Sequence, residues 1–296
     1  MKTGIVMITL GGPRSLAEIP DFIKCFIGRE LPAPAMKAII ERYRLIGGFS
    51  PLPAITEEQS RRLNDALGSN FLCLPAFRYA QPTIAQAIDS MDDAAVAELR
   101  FLLLSPFYTS VTTGNYIDTA KAYLEEKSFS PPVSFIHSWY QEPLFTGSWA
   151  EKIKTEAFDE QGYYLFSAHS LPLKYAAEPY QQQIEASMSS IAAAAGLRHY
   201  SLGWQSIPSN APEPWITPTV EEKLDEIAAT GFRRVIQVPI GFTADHIETL
   251  YDIDITHRQY ALNKGLGWRR LTSLNAGPSF IGALHKIAAN FALGES

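Results

Sequence analysis

The chain has 296 residues, 46% of them hydrophobic and 19% charged, which supports a sizeable core and excludes wholesale disorder. Its formal charge of −6, with no basic run, excludes the electrostatic footprint of a nucleic-acid binder. Its two cysteines, Cys25 and Cys73, form no Cys-x-x-Cys; this excludes a Cys-ligated cluster or zinc knuckle from this chain alone and fits a reducing, cytoplasmic location.

In chain order, the apolar opening reads as a buried strand over Gly4–Thr9. It is too short for a signal peptide and ends in Gly-Gly-Pro instead of a small-residue cleavage site. Further strands are expected at Asn70–Leu74, Leu99–Leu104 and Val133–Ile136, then at Tyr163–Phe166, His199–Leu202, Arg233–Val238 and Gly267–Leu271. Helical patterns fall at Thr56–Leu67, Pro82–Met91, Ile117–Lys127, Gln181–Ala195, Val220–Ala229 and Phe280–Phe291. This alternation predicts an α/β fold of parallel sheets flanked by helices. Four strands on each side predict two Rossmann-like lobes, residues 1–145 and 146–296, joined near Trp139–Trp149. No apolar stretch approaches the length of a bilayer span.

Five strands end in polar or aromatic text: Thr9-Leu-Gly-Gly-Pro13, Ser105-Pro-Phe-Tyr108, Ser167-Ala-His-Ser170, Gly203-Trp-Gln-Ser206 and Pro239-Ile-Gly-Phe242. Open parallel sheets bind ligands outside the carboxyl ends of their strands, so the five endings mark one shared cleft. The usual cofactor loops are missing: there is no GxGxxG, no GxxxxGK[ST] and no GxSxG.

His169 follows the strand Tyr163–Phe166, where an imidazole accepts protons near neutrality or ligates a metal, or is simply hydrogen-bonded within a loop. In the stretch 242–254, a helix starting near His246 would put Glu248 and Asp252 on one face, with Tyr251 close by. Such a carboxylate pair holds a divalent cation or relays protons. Asp245-x-x-Glu248 also has the spacing of a capping box, which would use both side chains on backbone N–H groups instead. His246, two positions from Glu248, would point elsewhere in a regular helix. Aromatic residues at the strand ends, among them Phe77, Tyr108, Trp215 and Phe242, form a wall suited to a flat ligand. Arg42, Arg44 and Arg78 are candidates to pair with its carboxylates.

These motifs resemble the ferrochelatase family. The resemblance rests on Thr3–Pro13, Arg42–Pro51, Phe77-Arg-Tyr79, Ser105–Gly114 and Phe166-Ser-Ala-His-Ser-Leu-Pro172. It continues through Trp204-Gln-Ser206, Pro214-Trp215, Pro239–Asp254 and Ser273-Leu-Asn275. The matches run in order along essentially the whole chain. The resemblance implies two lobes, without a nucleotide, enclosing a porphyrin into which ferrous iron is inserted with release of two protons. It implies His169 and Glu248 as catalytic residues and transient metal ligands, and Asp252, Tyr251 and His246 as a path for protons or metal. The implied porphyrin contacts are Leu10, Tyr43, Arg44, Ser50 and Phe77, followed by Tyr108, Thr109, Trp215 and Phe242. Iron is then a substrate, no cofactor is permanently bound, and no iron–sulfur cluster is expected.

Three departures bear on specificity. Thr256 stands where the family's acidic helix commonly has a third carboxylate. Leu10 stands where the coproporphyrin-using branch tends to have tyrosine, so protoporphyrin IX is the expected substrate and coproporphyrin III the alternative. Gln81 replaces a frequent histidine. A non-catalytic porphyrin or haem carrier or sensor is a further alternative, opposed by retention of both His169 and Glu248. The segment 31–40 resembles an apolar lip over the pocket, a candidate for peripheral membrane contact, although no basic cluster accompanies it.

Overall fold

The eight expected strands all form, and they form two four-stranded parallel sheets. A computed structural model describes residues 2–208 and 211–291. It divides the chain into one unit of residues 2–139 with 275–291, and a second of Tyr140–Leu274. In the first unit the strands are β1 (Thr3–Thr9), β2 (Phe71–Phe77), β3 (Glu98–Leu103) and β4 (Val133–Ile136), in the order β2-β1-β3-β4. In the second they are β5 (Tyr163–His169), β6 (Tyr200–Gln205), β7 (Arg234–Val238) and β8 (Gly267–Arg270), in the order β6-β5-β7-β8. Each sheet thus has the same topology, with its first strand between its second and third.

Continuous apolar runs in β1 and β5 follow from helices covering both faces of a parallel sheet. Ile5, Val6, Met7 and Ile8 are fully buried in β1, as are Leu165 and Phe166 in β5. Each such side chain contributes roughly 1.5–3 kcal/mol by leaving water. The helices of the first unit are α1 (Ile19–Ile27), α2 (Ala33–Leu45), α3 (Leu52–Leu67), α4 (Ile84–Asp93) and α5 (Asn115–Lys127). Those of the second are α6 (Pro143–Lys152), α7 (Tyr180–Ala195), α8 (Val220–Ala229) and α9 (Arg258–Asn263). Among the described residues no helix is long and apolar enough to cross a membrane. Helices α1, α2 and α6 were not expected from the pattern. Each has proline in its first turn, where the missing N–H costs nothing, so these prolines start helices instead of breaking them. The segment 31–40 accordingly runs into the first half of α2.

Two expectations are corrected. The boundary falls at Trp139/Tyr140, and the last helix, α10 (Pro278–Asn290), belongs to the first unit. Its apolar face buries Phe280, Leu284 and Ile287, and Phe280 lies 6.2 Å from the Trp139 ring. Polar contacts fix the return: Gln59 of α3 donates to the Asn275 carbonyl and Arg100 of β3 to that of Ala288. Several strands also run further than their apolar text. Thr9 pairs with Phe77 and His169 with Gln205, because a ladder is closed by backbone groups whatever the side chains. His169 is therefore the last residue of β5, not a loop residue.

Behind the second sheet's ladder lies a buried polar chain. Gln237 of β7 donates through Nε2 to Ser167 Oγ (3.0 Å) and to His257 Nδ1 (3.1 Å). The His257 proton is thus on Nε2, which faces Glu221 Oε1 at 3.8 Å, too far for a hydrogen bond. Burial pushes the His257 pKa down to about 3. Between that value and the ordinary ~6.5 of an unfolded chain, only the unfolded state binds the proton. The stability from keeping His257 neutral is complete above pH ~6.5 and is lost as pH falls. From pH 7 to 5 this group alone should lower the unfolding free energy by about 2 kcal/mol. Urea denaturation of wild type and His257→Asn at both pH values checks this; equal pH dependence in the two proteins would refute it.

Candidate active site

Three side chains of the second unit converge at the carboxyl ends of β5 and β7. Strands β6 and β7 lie on opposite sides of β5, so the carboxyl ends of β5 and β7 form the topological switch point, where open parallel sheets bind ligands. Gly241, just past β7, makes the close approach possible: a Cβ there would lie 2.9 Å from both Ala168 Cα and Cβ. The loop after β7 thereby passes directly beside the end of β5.

His169 is oriented through its inner nitrogen. Nδ1 lies 2.5 Å from the Ser170 carbonyl, which only accepts, so Nδ1 carries the proton and Nε2 presents a lone pair. Ser170 is itself fixed, its hydroxyl donating to the Ile216 carbonyl (2.7 Å) and its N–H to that of Gln205. The Tyr180 hydroxyl donates to the His169 carbonyl at 3.1 Å. Burial, with the nearby Glu248 carboxylate, pushes the Tyr180 phenol up, so it stays protonated. The Trp215 ring stands 6.2 Å from the imidazole.

Glu248 faces two imidazoles. Its Oε1 lies 3.7 Å from His169 Nε2 and its Oε2 3.7 Å from His246 Nε2. Burial would raise its pKa, but the two imidazoles, once protonated, outweigh that and pull it down to about 2. It is a carboxylate throughout the physiological range. His246 is raised: burial opposes its charge, and Glu248, together with the Ala244 carbonyl and Asp245, more than offsets the burial. The His246 Nδ1 faces the Ala244 carbonyl at 3.2 Å, which aims Nε2 at Glu248. The expected misdirection of His246 is thus corrected, because this residue belongs to the loop before the helix and folds back over Glu248.

The capping-box reading also fails. The His246 N–H bonds Thr249 Oγ1, and Asp245 Oδ1 accepts from Arg270 and from the Ser273 N–H. Glu248 is left to face the two imidazoles, with Oε2 buried and without a hydrogen-bond donor. Nor is the helix a regular one. Glu248–His257 is a π-helix, whose i→i+5 ladder is rare and recurs at functional sites. Asp252 Oδ2 accepts from Ser206 Oγ at 2.7 Å, and Tyr251 is half-buried beside it. Ser206 holds a left-handed backbone (φ 64), where a non-glycine residue is strained. Its part was not legible beforehand; the signals were its place at a strand end and in the Trp204-Gln-Ser206 segment that resembles the family.

The 3.7 Å gap between His169 Nε2 and Glu248 Oε1 is one that a single cation bridges with bonds of about 2.1 Å. Among the described residues, no group of three or more His, Cys, Asp or Glu side chains is arranged to hold a metal ion. The donors assembled here are this pair.

The other expected pocket residues differ in access. Phe242 is half-buried, with its ring 4.7 Å from that of His246. In the first unit Leu10 and Tyr108 are half-buried, and Tyr108 lies 5.5 Å from the His137 ring. Arg44 is exposed and paired with Glu41. Tyr43, Ser50, Phe77 and Thr109 are buried. Phe77 is fully enclosed, packing where Gly11 (φ 86) lets the β1 loop pass: a Cβ at Gly11 would lie 2.9 Å from that of Phe77. Thr109 caps the π-turn Ser110–Gly114 through its hydroxyl. These last two are committed to the protein's own packing.

Comparison with known proteins agrees with the geometry. The family model for ferrochelatase matches residues 2–291. A "Coproporphyrin III ferrochelatase" of Geobacillus sp. (strain WCH70) is 34% identical over 299 residues, covering 96% of each chain. A "Ferrochelatase" of Geotalea uraniireducens is 33% identical over 309 residues, again covering 96% of each. Among solved structures, "SirB from Bacillus subtilis with Fe3+" superposes with a TM-score of 0.60 at 13% identity, covering 98% of this chain and 97% of that one. That likeness is one of fold.

Proposed function

The chain belongs to the ferrochelatase family, and from that premise we propose that it inserts ferrous iron into coproporphyrin III at the His169–Glu248 cluster. Members of the family are metal chelatases that place a metal in a porphyrin. The reaction is balanced by two pyrrole protons leaving as Fe²⁺ enters. The observation that carries the reading is the aim of His169: with Nδ1 committed to Ser170, Nε2 is free to take a pyrrole proton or to touch the incoming iron.

Glu248 then acts as a fixed anion. Its low pKa makes it a poor resting place for a proton and a good counter-ion for an imidazolium formed on His169. At 3.7 Å the two groups are outside hydrogen-bond reach, so direct transfer needs a closure of roughly 0.5 Å or a bridging water. Asp252, anchored by Ser206, offers the next carboxylate along the π-helix for protons leaving or iron arriving.

Coproporphyrin III is preferred over protoporphyrin IX on the names of the relatives, several of which are coproporphyrin III ferrochelatases. This reverses the expectation drawn from Leu10, one apolar residue that favours the second reading, protoporphyrin IX. Anaerobic iron insertion with both porphyrins side by side tests the choice. We expect kcat/KM for coproporphyrin III to be at least about tenfold higher, since additional charged carboxylates give a site more bonds to discriminate with. A preference for protoporphyrin IX would restore the Leu10 argument. Tight binding with no turnover of either would make the protein a carrier or sensor.

A further inference from the structure

The segment bearing His246, Glu248 and Asp252 is held near both ends by one cation. Arg270, the last residue of β8, has a side chain only 6% exposed. Its Nη1 donates to Asp245 Oδ1 at 2.7 Å. Its Nε and Nη2 donate to the two oxygens of Asp254, each at 2.8 Å. Asp245 lies three residues before Glu248, and Asp254 six residues after it on the π-helix. The Ser273 N–H adds a second hold on Asp245 at 3.2 Å. None of the hydrogen bonds of Arg270 reaches His169, His246 or Glu248.

We propose that Arg270 is a positioning residue, whose guanidinium bridges Asp245 and Asp254 and thereby sets the π-helix so that Glu248 is presented to His169. The inference rests on the reading of that pair as the metallation site. A π-helix usually lasts a single turn, so a ten-residue stretch needs support from outside its own ladder. An Arg–carboxylate fork supplies direction as well as attraction, because two parallel N–H bonds fix the angle between the groups. The strand end carrying Arg270 is itself fixed, since Arg270 pairs with Gln237 of β7 in the parallel ladder. The loop before the helix and the helix body are thus referenced to one rigid point on the sheet. Asp245 is thereby engaged by Arg270 and Ser273, while Glu248 is the carboxylate that faces the two imidazoles.

The test uses Arg270→Lys and the triple variant Asp245→Asn/Arg270→Met/Asp254→Asn. Lysine keeps the charge but not the fork, and the triple variant leaves no buried carboxylate stranded. Two readouts are taken on folded protein: iron-insertion kinetics, and amide exchange along the chain. For both variants we expect kcat to fall about tenfold or more with the porphyrin KM within about twofold, as for a misplaced catalytic group. Exchange should quicken within residues 245–257 and stay unchanged in β5, β6 and α7. An unchanged kcat per folded molecule, or exchange that quickens evenly through the second unit, would overturn the proposal in favour of simple stabilisation. If wild type metallates neither porphyrin, the proposed function fails, and the exchange pattern alone decides whether Arg270 sets this helix.

Discussion

His169→Ala is expected to lower kcat for iron insertion by about 10³-fold, near 4 kcal/mol of barrier, while porphyrin binding changes less than about twofold. The ring supplies the lone pair, at Nε2, that faces Glu248, with its tautomer fixed by the Ser170 carbonyl. Its loss strands little: the side chain is about one-third exposed, so the Ser170 carbonyl can turn to water. Folding should therefore survive, and the defect should lie in turnover. Porphyrin fluorescence titration and single-turnover metallation separate the two. Turnover at the wild-type rate would remove His169 from the chemistry and leave it as a packing residue at the end of β5.

Glu248→Gln is expected to lower kcat by about 10²-fold, again with porphyrin binding nearly unchanged. Glutamine keeps the shape and loses the charge between the two imidazoles. The charge has a second readout. Burial works against the His246 imidazolium, and Glu248, with the Ala244 carbonyl and Asp245, offsets it, so the variant loses the largest support for that charge. His246 should then titrate lower than in wild type, which a ring-proton NMR titration follows directly. If His246 titrates as in wild type and only thermal stability falls, Glu248 serves the helix and not the reaction. The hydrogen bonds of Asp245 and of the His246 N–H already argue against that role.

The exposed aromatic character of the strand ends proved an uneven guide to the pocket. Trp215 and Phe242 do lie beside His169 and His246, each half-buried. Phe77, equally aromatic, is fully enclosed. Residue type is the same in kind; what separates them is place, since Phe77 is the last ladder residue of β2 while Trp215 and Phe242 lie in the loops that follow β6 and β7.

Much was determined by the amino-acid sequence alone. The eight strands, the α/β class, the place of His169 at a strand ending and that of Glu248 near a helix start were all legible. A strand covered on both faces must be apolar along its length, and that requirement is written locally, residue by residue. Other features waited for the tertiary structure. No local signal shows that the loop after β7 passes beside the end of β5, that His246 turns back onto Glu248, or that the helix is wound as a π-helix. Nor does any show that Arg270 reaches two aspartates, or that α10 returns to the first unit. Each of these depends on which strands become neighbours and on where a buried charge finds its partner. Those are contacts between residues far apart in the chain, and only the packed fold brings them within bonding distance.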